Sequence, residues 1–473
     1  MPMRNVIIFF IFILPLFSSA QDILVSEDLP LRNDVSYELV GEIKGNILLY
    51  HNRSTEHEIQ CFDPRMQLDW SKELEFDRRT AKTLGIVADD EFFYVFHHFR
   101  RKGNTLLKVN KYDAGANLRD STLVFDYGFL FFTPDFELIR SEDRTKVLVF
   151  FVEKQSIMRA LSFDVPSMQL LWEKSFSPED YSYSEDGLQA LVDNQGNMQL
   201  IIEKDNYRSR RKEHFYEVHS YYGASDEYRK FDTRFRGMLT YDAYFTYDDL
   251  NDRLVASGFY SERDLGKATG FFYLNVDPRK PDNTTLKFQK FDQETLMGIL
   301  GKRGKRAKGL QEISVQEIVL RRDGGAILIG ERNRMFERGG TSRTYIDNVN
   351  RFMVDYYFDD LLIASIHPSG EVHWKTILHK KQYSQDDNGI YSSYFLFKTP
   401  SSLRFLFNDE IKYENTVSEY ILNGFGNYDR NSLLSTANLD LRLRFRDALQ
   451  TGSNALIVPS ERRNRLKLVK MEF

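Results

Sequence analysis

Glu142-Asp143-Arg144-Thr145-Lys146-Val147-Leu148-Val149-Phe150-Phe151-Val152 is the stretch on which the fold turns. A charged turn runs into six apolar residues without a break. A strand in a sheet with one solvated face alternates apolar and polar residues, whereas a strand apolar at every position has both faces covered. An outer-membrane barrel demands alternation between a lipid face and a polar lumen. Val147 to Val152 does not alternate. The flanking sequence completes a unit. Phe136 to Arg140 reads as a first strand and Lys146 to Val152 as the second. Ile157 to Phe163 follows the turn Gln155-Ser156 as the third, and Gln169 to Phe176 follows Pro166-Ser167 as the fourth. Four short antiparallel strands joined by tight turns make a meander.

The same turn and apolar run return along the chain. They occur at Lys44-Gly45-Asn46 before Ile47 to Tyr50, and at Asp89-Asp90-Glu91 before Phe92 to Phe96. Asn194 to Asn197 precedes Leu200 to Ile202, and Asn251-Asp252-Arg253 precedes Leu254 to Ala256. Asp323-Gly324-Gly325 precedes Ala326 to Ile329, and Pro400-Ser401-Ser402 precedes Phe405 to Phe407. Thr451 to Asn454 precedes Ala455 to Val458. Repetition at roughly 50 residues signals a propeller or array. The expectation is an all-β, eight-bladed β-propeller of four-stranded antiparallel blades. Seven blades is the alternative count. An outer-membrane barrel, suggested by the terminal Phe473, is the weaker rival.

The three tryptophans occupy one place in the repeat. Trp70, Trp172 and Trp374 each follow the end of a third strand and a turn containing Pro64, Pro166 or Pro368. Phe231 and Phe291 stand similarly in other units. A large flat ring on an outermost strand closes the seam to the next blade, so these are expected to be structural blade tryptophans. The segment Ile366-His367-Pro368-Ser369-Gly370-Glu371-Val372-His373-Trp374 resembles the blade cadence of the quinoprotein dehydrogenase-like propellers. The same cadence, without the glycine, recurs before Trp70 and Trp172. That resemblance implies an eight-bladed ring. It does not imply redox chemistry, because those enzymes hold their quinone with an adjacent cysteine pair and this chain has only Cys61.

The termini suggest an export signal and a ring closure. Arg4, the apolar run Val6 to Phe17 and the small residues Ser18-Ser19-Ala20 have the layout of a cleaved signal peptide, 1–20. The following Gln21-Asp22 makes the junction resemble those of Bacteroidota exports. No Cys follows the junction, so no lipid anchor is expected. The mature chain, 21–473, reads as a single propeller domain located in the periplasm or at the cell surface. With one cysteine it has no internal disulfide, and its stability rests on its core. No later apolar stretch reaches the length of a membrane-spanning helix. Near the C-terminus, Leu441 to Phe445 reads as an inner strand, Ala455 to Val458 as a second and Leu466 to Met471 as a third. The missing outer strand is expected from Ile23 to Ser26. Insertions fall near 293–311 and 333–350, read as loops on one rim.

Chemistry is sparsely signalled. Removing the signal moves the formal charge from −5 to −6, which implies no overall attraction to nucleic acid or to an anionic membrane. Lys302, Arg303, Lys305, Arg306 and Lys308 form a basic, glycine-punctuated loop suited to a polyanion contact, and without interleaved aromatics they do not indicate base stacking. Arg208 to Lys212 form a second basic cluster. His97 and His98 are neighbours on a strand, so they point to opposite faces and do not share an ion. His367, His373 and His379 lack a Cys or Glu at zinc spacing. Asp180 to Gly187 has alternating oxygens but no closing Glu of a calcium loop, and Asp386 to Gly389 reads as a turn. Asn52-Arg53-Ser54 and Asn283-Thr284-Thr285 match glycosylation acceptors. There is no Gly-x-Ser-x-Gly, phosphate-binding glycine loop or His-Glu-x-x-His. No catalytic, metal or cofactor-binding residues are therefore expected. The sequence points to a monomeric binding or scaffolding module for a protein or glycan. The alternative is a hydrolase or lyase acting on an extracellular polymer at the channel mouth.

Overall fold

Alternate residues of the apolar run divide between two separate cores. Val147, Val149 and Phe151 pack with Phe96, Leu107 and Val109 of the preceding sheet. Leu148 and Phe150 pack with Met198, Leu200 and Ile202 of the following one. All five residues of 147–151 are buried. Side chains of a strand point alternately to its two faces, so this strand is sandwiched between neighbouring sheets.

The computed structural model describes residues 22–31, 36–53, 55–339, 352–409, 416–436 and 439–473. The expected signal, 1–20, lies outside them, as does Ser54 of the first glycosylation acceptor. The described strands form eight antiparallel sheets. Blades 1 to 7 follow one another along the chain at 36–73, 82–129, 137–176, 187–234, 239–290, 313–378 and 395–435. Within each, the chain runs from an inner strand through a second and third to an outer one. One apolar cluster occupies each seam between consecutive blades. Leu48 and Tyr50 meet Val95 across seam 1/2, while Ile47 and Leu49 meet Ile457 and Leu468 across seam 8/1. Leu254 and Ala256 face seam 4/5, and Val255 and Phe259 face seam 5/6. Eight blades, not seven, close the β-propeller ring.

Blade 8 joins both ends of the chain. Ala455–Arg462 pairs with Arg465–Glu472, and Asp22–Val25 supplies the outer strand against Arg465–Glu472. Ile23 stands opposite Met471 and Val25 opposite Val469. Ser26 N donates to Leu468 O at 2.9 Å, Leu468 N donates to Ser26 Oγ at 2.9 Å, and Asp28 pairs with Arg465 at 2.8 Å. The N-terminal strand thus covers an edge that would otherwise be open.

Three expectations are corrected. Leu441 to Phe445 is not the inner strand of blade 8. Leu441, Leu443 and Phe445 are buried in seam 7/8, but the stretch makes one isolated bridge, Leu443 to Ser460. Opposite it, Pro459 offers a carbonyl to Arg444 N but has no N–H to return. The chain then makes a 3-10 turn, Phe445–Asp447, and the inner strand is Leu449–Gln450. The insertion near 293–311 is a helix, Gln293–Leu300, continued by a 3-10 turn, Gly301–Arg306. Of the insertion near 333–350, residues 333–339 continue the strand Ala326–Gly339, which pairs with Phe352–Ile366 as far as Gly339 with Phe352, and 340–350 lie outside the described residues. These two strands extend beyond their neighbours because Gln382–Gln385 adds a further pairing partner to the second of them.

Deleting residues 22–28 from the mature chain exposes the edge of Arg465–Glu472 and opens seam 8/1. A single cooperative melt lowered by about 5–10 °C is expected; an unchanged melting temperature in calorimetry would contradict closure by this strand.

Candidate binding surfaces

An antiparallel meander returns alternate connections to opposite ends of its strands. Links from inner to second and from third to outer strands therefore share one face of the ring. Links from second to third strands, and from each outer strand to the next blade, share the other. The first face carries short turns throughout, such as 89–91, 141–145 and 249–252. The second carries the long connections 130–136, 205–214 and the helical segment 291–312, and toward it run the extended strand ends near Gly339 and Phe352.

The inner strands border two adjoining cavities along the axis. One, of 920 Å³, opens toward the long-connection face between Tyr37, Glu38, Arg140, Arg444, Asp447 and Glu461. The other, of 810 Å³, opens toward the short turns between Arg144, Glu317, Tyr394, Lys398 and Thr451. Arg446, Ala448 and Leu449 line both. Arg444 is tied to Asp447 at 2.5 Å and to Glu461, and its guanidinium lies 5.4 Å from the Tyr37 ring centre. Burial pushes the Tyr37 phenol well above its ordinary value, against the pull of Arg444, so it keeps its proton. Burial likewise raises the Glu38 carboxyl, although Arg140 lies 3.4 Å away. Arg446 has no carboxylate partner among the described residues, and its guanidinium sits 4.5 Å from the Phe358 ring centre. The channel offers fixed donors and acceptors of both signs. Among its described residues no nucleophile stands beside a base.

A second surface was not legible in the repeat. The connection from blade 2 to blade 3 reads Tyr127-Gly128-Phe129-Leu130-Phe131-Phe132. Tyr127 and Leu130 are buried in seam 2/3 and anchor it. Phe129, Phe131 and Phe132 are 70%, 74% and 78% exposed. Arg100 holds the loop by donating to Leu130 O at 2.7 Å. Phe131 and Phe132 meet edge to face at 4.7 Å, and with Pro134, Val152 and Tyr183 they border an apolar hollow of 430 Å³. The only sequence signal was the aromatic run itself, which is also what a buried strand looks like.

Lys302, Arg303, Lys305, Arg306 and Lys308 are all exposed, but they do not lie on a flexible loop. Asp292 caps the preceding helix, accepting from Thr295 N at 2.9 Å, and pairs with Lys375 of blade 6. Burial opposes ionisation of Asp292, yet Lys375 and Thr295 hold its carboxyl down at about 2. Leu296 and Ile299 are buried in seam 5/6. Gly304 lies against the Leu296 carbonyl so closely that a Cβ would fall 2.3 Å from its oxygen. The glycine is thus a packing position, and the five cations project from a pinned scaffold without an ion-pair partner among the described residues.

The tryptophans stand at equivalent registers, opposite Cys61, Ser162 and Ser365, each beside a bulge. Trp172 Nε1 donates to Gly196 O of blade 4 at 2.8 Å, and Trp374 Nε1 donates to Gly424 O of blade 7 at 2.9 Å. Trp70 packs on Tyr112 and Ala116 of blade 2. At Gly223 a Cβ would lie 2.1 Å from the Trp172 ring, so only glycine admits this contact.

The other singled-out groups are dispersed. His367 and His373 lie with tilted rings 4.7 Å apart on the short-turn face, whereas His379, beyond the far end of the strand Val372–Leu378, pairs with Asp360. Within Asp180 to Gly187, the Lys204 ammonium binds Asp186 at 2.6 Å and the Asp180 carbonyl at 2.6 Å, where a cation would be needed for a calcium loop. Asp387 Oδ1 accepts from Gly389 N, as a turn residue does. Among the described residues no group of three His, Cys, Asp or Glu is placed to hold a metal. His97 is buried between Phe76 and Phe99, and His98 packs on Phe136.

No protein-family model matches this chain, and no curated protein does. Among solved structures it is similar to the WD40 domain of SCAP from fission yeast, at 8% identity and TM-score 0.41, covering 96% of this chain and 98% of that one. It is similar to Sqt1 of Saccharomyces cerevisiae at 7% identity and TM-score 0.42, covering 94% and 99%. It is also similar to the polysaccharide lyase Uly1 at 8% identity and TM-score 0.40, covering 82% and 89%. These likenesses assign no activity to this chain.

Burial lowers both His97 and His98 to about 4. An unfolded histidine titrates near 6.5, so acid protonates the unfolded chain first. Their contribution to stability is complete above about pH 6.5 and is lost as pH falls toward about 4. His97→Phe, which keeps the ring stack, should flatten that loss. Urea midpoints at about pH 7 and about pH 5 measure it, and an unaltered pH slope would contradict the assignment.

Proposed function

We propose that this chain is exported by a signal at 1–20 and serves as a binding or scaffolding propeller for a protein or glycan in the periplasm or at the cell surface. The observation that carries this is the channel lining: Arg444 is paired with Asp447 and Glu461 and lies 5.4 Å from the Tyr37 ring centre, beside a 920 Å³ cavity. Such a lining suits recognition of hydroxyl, amide or carboxylate groups. Proton transfer near neutral pH would need a group poised there, and the Tyr37 phenol is pushed the other way. The enzyme alternative draws its support from Glu38, whose raised carboxyl is the kind of group that donates a proton to a leaving oxygen.

The blade cadence shared with quinoprotein dehydrogenase-like propellers supports the architecture and not their chemistry. Cys61 is buried in seam 1/2, and burial pushes its thiol up to about 11. It is a packing residue here, not half of a reactive pair.

The test is affinity capture from the native envelope by the mature chain, alongside Arg446→Glu and a variant with Lys302, Arg303 and Lys305 changed to Ser. A defined partner lost about tenfold or more on Arg446→Glu, with no cleavage of envelope polymers, is the expected result. Depolymerisation abolished by Glu38→Gln would establish the enzyme instead.

A further inference from the structure

The net charge of −5 conceals a separation between the two faces. Acids on the long-connection face are repeatedly neutralised: Asp77 by Lys108, Asp186 by Lys204, Asp205 by Lys212 and Asp292 by Lys375. Unpaired acids there include Glu179 and Glu185 on the single connection 177–186, while cations without an ion-pair partner among the described residues form three clusters. Arg101 and Lys102 stand at the turn beside the phenylalanine loop, where Gly103 lies against Phe129. Arg208, Arg210 and Arg211 project from blade 4, and the pinned basic segment 302–308 projects between blades 5 and 6.

The opposite face carries more acids than cations in its turns, although Lys44, Arg65, Arg144 and Arg322 there also have no ion-pair partner among the described residues. Its turns carry Asp89, Asp90, Glu91, Glu142, Asp249 and Asp252 with no salt-bridge partner among the described residues. Burial, together with Asp193, Glu142 and Asp143, pushes Asp249 up to about 7. Exposed apolar residues follow the same division. Leu250 and Phe425 stand singly among the short turns, whereas the long-connection face presents Phe129, Phe131 and Phe132 on one anchored loop and Met335 and Phe336 on the extended strand Ala326–Gly339.

We propose that the long-connection face docks on an anionic lipid surface. Phe129, Phe131 and Phe132 enter the boundary between headgroups and acyl chains, and the three cation clusters lie against the headgroups. Protruding rings on a loop anchored from beneath suit a deformable apolar layer, which accepts them without a matching cavity. Cations dispersed across one face suit a charged plane, where each adds to the attraction within a Debye length. This placement leaves the 810 Å³ mouth of the channel facing away from the lipid. It turns the 920 Å³ mouth toward the lipid, so a ligand of the channel would enter through the 810 Å³ mouth, and Arg446 lines both cavities.

The test is cosedimentation of the mature chain with phosphatidylcholine vesicles, with and without phosphatidylglycerol. Binding is expected only with phosphatidylglycerol and should weaken with salt. Replacing Phe129, Phe131 and Phe132 by Ser should reduce partitioning at least about tenfold, as should Lys302→Glu with Arg303→Glu and Lys305→Glu, with melting temperatures unchanged. Phe131→Trp supplies a depth readout: blue-shifted emission quenched by brominated acyl chains is expected. Absence of binding at low salt would overturn the proposal. So would binding without shift or quenching, which would mark simple adsorption to a polyanion. A phenylalanine variant that binds vesicles normally, yet loses an envelope protein in capture, would assign the loop to a protein partner and overturn it too.

Discussion

Every blade depends on its second strand being buried on both faces. Residues 147–151 are hydrophobic throughout, and their side chains alternate between seam 2/3 and seam 3/4. Neither core is complete without the adjoining sheet. An isolated blade would leave the side chains on both faces in water, at roughly 1.5–3 kcal/mol for each large one. The ring is the arrangement that leaves no seam half-made, and it requires the N-terminal strand to finish blade 8.

That constraint explains what was legible in the sequence. An unbroken apolar run is a strong signal because only two-sided burial favours it, and the eight turns mark its repeats. The tryptophan positions are legible because the seam between outer strands asks for one flat ring with a polar edge. Trp172 and Trp374 each place that edge on a carbonyl of the next blade. Illegible features are those where the same residue pattern has two solutions. Leu441, Leu443 and Phe445 alternate as a strand does, yet they reach seam 7/8 with a single bridge. Gly304 looks like a hinge, but its missing side chain permits a close helix contact. The run Phe129 to Phe132 looks like a core strand, yet only Leu130 is buried.

The candidate sites follow from the same frame. Because the meander sends long connections to one face, features distant in sequence share a surface: the phenylalanine loop, the arginines of blade 4 and the basic segment after blade 5. The channel arises independently, from inner strands that converge with Arg444 and Arg446 near the closing blade. Neither site is visible as a local motif, since each is assembled from side chains of several blades.

The most direct test of the two-sided burial compares Phe150→Ala with Phe151→Ala. The two residues are neighbours of the same type, both buried, and they face different seams. Sandwiching between blades predicts that each substitution costs about 3–5 kcal/mol in chemical denaturation. A large loss at one position and none at the other would mean that one side of the strand lies open, and the propeller account would fail.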